Sequence, residues 1–148
     1  MSAMSNYLEK KLGEHVLRGT ASTPPSALFL ALCTGAPGET NTPANECTYT
    51  GYARVSMGSI GTAFGLINDG GATDGLTSNA NAITFGANAD VGTVVVTHWA
   101  ICDAVSGGNV LLVGEFDASK NIAQNDIPFV AAGTIEVGGD QLRYEEKH

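Results

Sequence analysis

Beyond Gly19 the chain is cut again and again into short apolar and β-branched runs by clusters of Gly, Asn, Asp, Ser and Pro. Each run has the length of a strand, and the clusters between them are turn formers. The strand candidates are Leu28–Cys33, Tyr52–Gly58, Ala82–Phe85, Thr93–Asp103, Val110–Phe116, Ile127–Val130 and Thr134–Val137. Gly35–Asn45, Asn68–Asn81, Ser106-Gly107-Gly108-Asn109 and Asn125-Asp126 separate them. Several short strands with turn signals between them predict a mainly β fold, an antiparallel β-sandwich or jelly-roll-like domain.

The strongest local signal is a hairpin of Thr93–Asp103 and Val110–Phe116 closed through Ser-Gly-Gly-Asn. Strict alternation puts Val95, Trp99 and Ile101 on one face of the first strand, and Val94, Val96, Ala100 and Cys102 on the other. Apolar groups on both faces predict a central strand covered on both sides. Trp99, the sole tryptophan, is the expected anchor of the core.

One segment reads differently. Ser5 or Asn6 can cap a helix with Glu9 in its first turn, and Met4, Leu8, Leu12 and Val16 recur at helical spacing. Gly19 is placed to end it, and Thr23-Pro24-Pro25 breaks the chain into extended structure. Residues 1–20 are therefore expected to form an N-terminal helix or arm, and residues 21–148 the β domain. An isolated helix of this length is marginal in water, so its stripe must dock, either on this protein's own sheet or on a neighbour. The stretches Gly35–Gly51 and Gly61–Asn81 are long for a compact domain. Loops of that size usually serve a function or are ordered by a partner, so the helix and Gly35–Gly51 are the candidate contact arms.

Charge narrows the choice of partner. The chain has 7 basic and 15 acidic residues, a net charge of −8. A phosphate-binding surface needs clustered Lys and Arg, so neither nucleic acid nor an anionic membrane is an expected partner. No apolar run is long enough to span a bilayer as a helix, and the opening MSAMSNYLEKK is polar where a secretory signal is apolar. The expected site of synthesis is the cytoplasm. Charged residues make up 15% of the chain, against about 25% in an average soluble domain. A surface so poor in charge suits a protein packed against others.

The residues capable of chemistry do not assemble into a known arrangement. Cys33, Cys47 and Cys102 are widely spaced with no CxxC, and read as small buried hydrophobes. His98, Cys102 and Asp103 are the nearest approach to a nucleophilic set. In a strand, however, residues four apart lie about 13 Å apart, beyond a His–Cys hydrogen bond. His15 and His98 offer two ligands without a third, and His148 is terminal. Asp69–Gly75 lacks the ligand spacing of a calcium loop. The doublets Gly70-Gly71, Gly107-Gly108 and Gly138-Gly139 lack the lysine and helix start of a phosphate loop. No catalytic, cofactor or metal site is assigned, no cofactor is expected, and an enzyme is not the expected reading.

Three groups of residues carry a resemblance. SNYLEKKLGEHVLRGT is followed by Pro-Pro, ALFLALCTGAPGE and GYARVSM, then by THWAICDAVSGGNVLLVGEFDASKNIAQND, with FVAAGTIEV closing the pattern. Together they resemble small tailed-bacteriophage virion proteins, the capsid decoration (cement) and so-called tail fibre proteins. The resemblance spans most of the chain; Gly61–Asn81 and Gly138–His148 fit it least. It implies a non-enzymatic virion protein, first of all a decoration protein that binds the major capsid protein on the outer capsid surface. Such a protein would form a homo-oligomer, a dimer or trimer, and stabilise the shell by mass action. The alternative is a tail or fibre protein contacting host glycan, for which Tyr49, Tyr52 and Tyr144 are the available aromatic groups.

Overall fold

The computed structural model describes residues 2–65 and 75–138. Among them are one helix, α1 (Asn6–Arg18), and nine strands: β1 (Ser2–Met4), β2 (Ala27–Cys33), β3 (Val55–Ser59), β4 (Thr77–Ser78), β5 (Ile83–Thr84), β6 (Val94–Cys102), β7 (Val110–Ile122), β8 (Phe129–Val130) and β9 (Glu136–Val137). The fold is mainly β, and every strand pairing is antiparallel. Five strands form the principal sheet in the order β1-β7-β6-β2-β3. The ladders β4–β9 and β5–β8 supply a second, smaller layer: Ile83, Val130 and Val137 pack in one core with Leu30, Leu32 and Trp99 of the large sheet.

The β6–β7 hairpin forms where the turn residues place it. Gly107 and Gly108 both take left-handed φ values, +61° and +70°, which the tight reversal requires. Asp103 closes the turn, its Oδ1 accepting from the Asn109 N–H at 2.7 Å and its Oδ2 from the Asn109 amide at 3.0 Å. β6 is the middle strand and is covered on both faces. Trp99 is buried in the larger core.

The two faces of β6 are not divided as strict alternation predicts. Val94, Val96, Trp99 and Ile101 share the larger core, while Ala100 and Cys102 join Ala31, Cys33, Val110 and Val113 on the opposite face. Val95, expected beside Trp99, is exposed. The register with β7 breaks between Val96 and His98, and that irregularity resets the alternation halfway along the strand.

The N-terminus holds a second departure. Met4 lies in β1, not on the helix stripe, and β1 adds to β7 with Ala3 opposite Val113. The helix itself has the expected ends: the Ser5 hydroxyl accepts from the Leu8 N–H at 3.1 Å, and Gly19 at φ +70° closes the last turn. No described helix is long and apolar enough to cross a membrane.

Candidate functional site

The stretch Gly35–Gly51, expected as a contact arm, is fastened to its own domain, together with Thr34 before it. The Thr34 N–H donates to Asn45 O at 2.8 Å, the Ala44 N–H to Pro37 O at 2.8 Å and the Cys47 N–H to Leu32 O at 2.9 Å. Cys47 and Tyr49 are core residues. At its centre is a polar node that sequence reasoning missed. Arg54 grips Glu46 through two nitrogens, Nε to Oε2 at 2.9 Å and Nη2 to Oε1 at 3.1 Å. Its remaining Nη1 donates to Ala104 O and Gly107 O, both at 3.0 Å. The Tyr52 hydroxyl donates to Glu46 Oε2 at 2.6 Å and accepts from the Leu32 N–H at 3.2 Å.

Side chains on one short stretch thus tie together the 34–51 segment, β2 and the β6–β7 turn. The only signal available in the sequence was a lone cation, Arg54, in an apolar stretch of a chain with few cations. The bidentate hydrogen bond to Glu46 raises the Arg54 pKa further, and burial with the Glu46 bond holds the Tyr52 phenol well above its ordinary range. Every strong donor of the node is committed within the fold, so its chemistry is that of a staple.

The expected reactive residues are placed apart. Burial pushes the Cys33 thiol up to about 12, and those of Cys47 and Cys102 up to about 11. They are protonated, weak nucleophiles at neutral pH. Asp103 is the turn-closing carboxylate described above. His98 Nδ1 lies 2.7 Å from Thr97 Oγ1, and its Nε2 lies 3.7 Å from Glu115 Oε2. His15 Nδ1 lies 3.0 Å from Thr20 O at the end of α1. Among the described residues no three His, Cys, Asp or Glu side chains converge as a metal site. Asp69–Asp74, Tyr144 and His148 fall outside the described residues.

Tyr49 and Tyr52, the aromatic groups available for glycan contact, do not present free ring faces. Tyr49 is buried with its hydroxyl on Gly86 O at 2.9 Å, and Tyr52 stacks on Phe85 at 6.2 Å between centroids. Two open clefts flank the 34–51 segment. One of about 350 Å³ is lined by Thr34, Glu46, Thr48, Asp90 and Thr93. The other, about 290 Å³, lies where β1 joins β7 and includes Glu39, His98 and Glu115.

One outward apolar feature is the end of α1. No residue of the helix is buried, and its last turn leaves Val16 72% and Leu17 84% exposed. Leu8 and Leu12, which share the stripe with Val16, are half-buried.

A small β-rich domain with a surface helix is the class that fold and surface define. The family model of the podophage GP4 fiber I protein gp80 matches residues 3–138, and the chain belongs to that family. It is a family of phage virion structural proteins, and its description is that of a fibre. No curated protein matches the chain.

Proposed function

We propose that this protein is a structural component of a phage tail or fibre, acting through protein–protein contacts. The family match across residues 3–138 carries this reading. The helix that leaves its apolar end uncovered supports it, because a virion component needs surface to give to its neighbours. A capsid decoration protein on the outer shell, bound to the major capsid protein, is the competing placement. The net charge of −8 fits any position outside the DNA-filled volume and so favours neither. Glycan contact through Tyr49 and Tyr52 is not part of the proposal, since both rings are used in packing.

Labelled antibodies against the purified chain, imaged on intact particles, test the placement. The expected outcome is label on the tail or its fibres. Label over the head, together with saturable binding to expanded shells at a fixed ratio per capsid subunit, would replace the fibre reading with the decoration one.

A further inference from the structure

We propose that α1 docks on a second copy of this chain, against the outward face of the 127–130 segment that carries Ile127 and Phe129. This goes beyond the fibre reading and holds wherever in the particle the protein resides.

The helix supplies one half of the contact. Both its ends are capped, yet none of its 13 residues is buried. A helix of that length gains little from propensity and draws its stability from packing an apolar face. Leu8 and Leu12 are half-covered, near β1 and β7, while Val16, further along their stripe, and Leu17, about 100° round the helix from Val16, are open.

The other half is a second exposed apolar surface. Ile127 is 61% and Phe129 55% exposed, while Pro128 and Val130 between and beside them turn inward. Beside Ile127 stands the exposed Asp126. Asn88 joins this stretch, its N–H donating to Asp126 O at 3.0 Å and its carbonyl accepting from the Asn125 N–H at 2.6 Å, and the exposed Asp90 and Val91 follow it in the chain. Val16, Leu17, Ile127 and Phe129 are all exposed in the single chain, so the two surfaces do not meet within it.

Charge selects a second copy as the occupant. α1 carries Lys10, Lys11 and Arg18 against Glu9 and Glu14, whereas the chain as a whole has a net charge of −8. The described residues beyond the helix include two further cations, Arg54 and Lys120, and Arg54 is bound to Glu46. The helix is thus the cationic pole of an acidic molecule. The exposed Asp126 beside Ile127, with the exposed Asp90 two residues on from the Asn88 bonded to it, gives the receiving side the opposite charge. Because the two surfaces differ, the contact is heterologous: reciprocal exchange closes a dimer, and a rotation closes a ring. A contact centred on two exposed apolar side chains from each partner is small beside the roughly 800 Å² per partner of a standard interface, so association should depend on concentration and weaken with salt.

Sedimentation of the purified full-length chain over a range of concentrations and salt tests this. The wild type is expected to gain mass with concentration and to lose it at high salt. Leu17→Asp on the helix and Phe129→Asp on the receiving face should each weaken association at least tenfold. Both positions are exposed, and unchanged circular dichroism would show that the fold is kept. Mixing the two variants should restore a single contact, a 1:1 dimer and nothing larger, since one intact helix then meets one intact face. A wild type that stays monomeric throughout would overturn the proposal. So would a Phe129→Asp variant that associates like wild type, which would mean that helices pair with each other. Antibody placement on particles is read independently, so failure here leaves the fibre reading to its own test.

Discussion

Gly114 has no room for a side chain, because the Trp99 indole lies across it where the two residues pair between β6 and β7. A Cβ at Gly114 would overlap the ring, and the ring is locked in the core. Gly114→Ala should therefore cost about 1–3 kcal/mol through overpacking. Trp99→Ala should cost about 3–5 kcal/mol, the range for emptying a buried aromatic site. Urea midpoints of both variants check this; a loss under about 1 kcal/mol for Trp99→Ala would be out of line with a buried aromatic anchor. The importance of Trp99 was legible, since a lone tryptophan in a strand with apolar groups on both faces has few other places to go. That of Gly114 was not. A glycine in a strand reads only as a weak point until the cross-strand partner is known.

At the scale of elements, turn chemistry located the strands and cross-strand contacts located everything else. The runs ending in Cys33 and Val130 stop where expected, and the run expected to end at Asp103 stops one residue earlier, at Cys102. β1 and β4 span three and two residues and carry no periodicity to read. Met4 fits the helix stripe by spacing alone, although it belongs to β1. Gly35–Gly51 reads as an arm because its length and its Gly, Pro and Asn content are those of a loop. Its tether is made of residues distant in sequence, Glu46, Arg54 and the carbonyls of Ala104 and Gly107. Arg54→Lys keeps the charge but cannot form the fork or reach both carbonyls. Removing one partner of a buried pair costs about 3–5 kcal/mol, and Arg54→Met should fall at the upper part of that range, with Arg54→Lys below it. Denaturant midpoints would show the order. Proteolysis of native protein should then cut first within residues 35–45, which a fastened wild-type segment resists.

The whole molecule should be least tolerant of alkali. Its three thiols and the phenols of Tyr49 and Tyr52 all have raised pKa values, chiefly through burial. Below about pH 9 the thiols are protonated in both folded and unfolded chains and give no pH dependence. Between about 9 and about 11–12 the unfolded chain releases these protons while the folded one keeps them. The unfolded state then binds fewer protons, so stability falls as pH rises. The urea midpoint should decline from pH 9 upward, and Cys102→Ala, though less stable at neutral pH, should show a shallower decline. An unchanged midpoint up to pH 11 would contradict the burial of the thiols.

Local information in the chain was enough for a mainly β fold, one capped helix, the central hairpin and a buried Trp99. Each of these follows from residue type and spacing within a few positions. Three-dimensional packing alone decided the reset of β6 at Val96, the Glu46–Arg54–Tyr52 staple and the uncovered end of α1. All three depend on which distant segments come together. A bulge, a bidentate ion pair and an exposed face are properties of pairs of surfaces, and no stretch of a single chain encodes a pair.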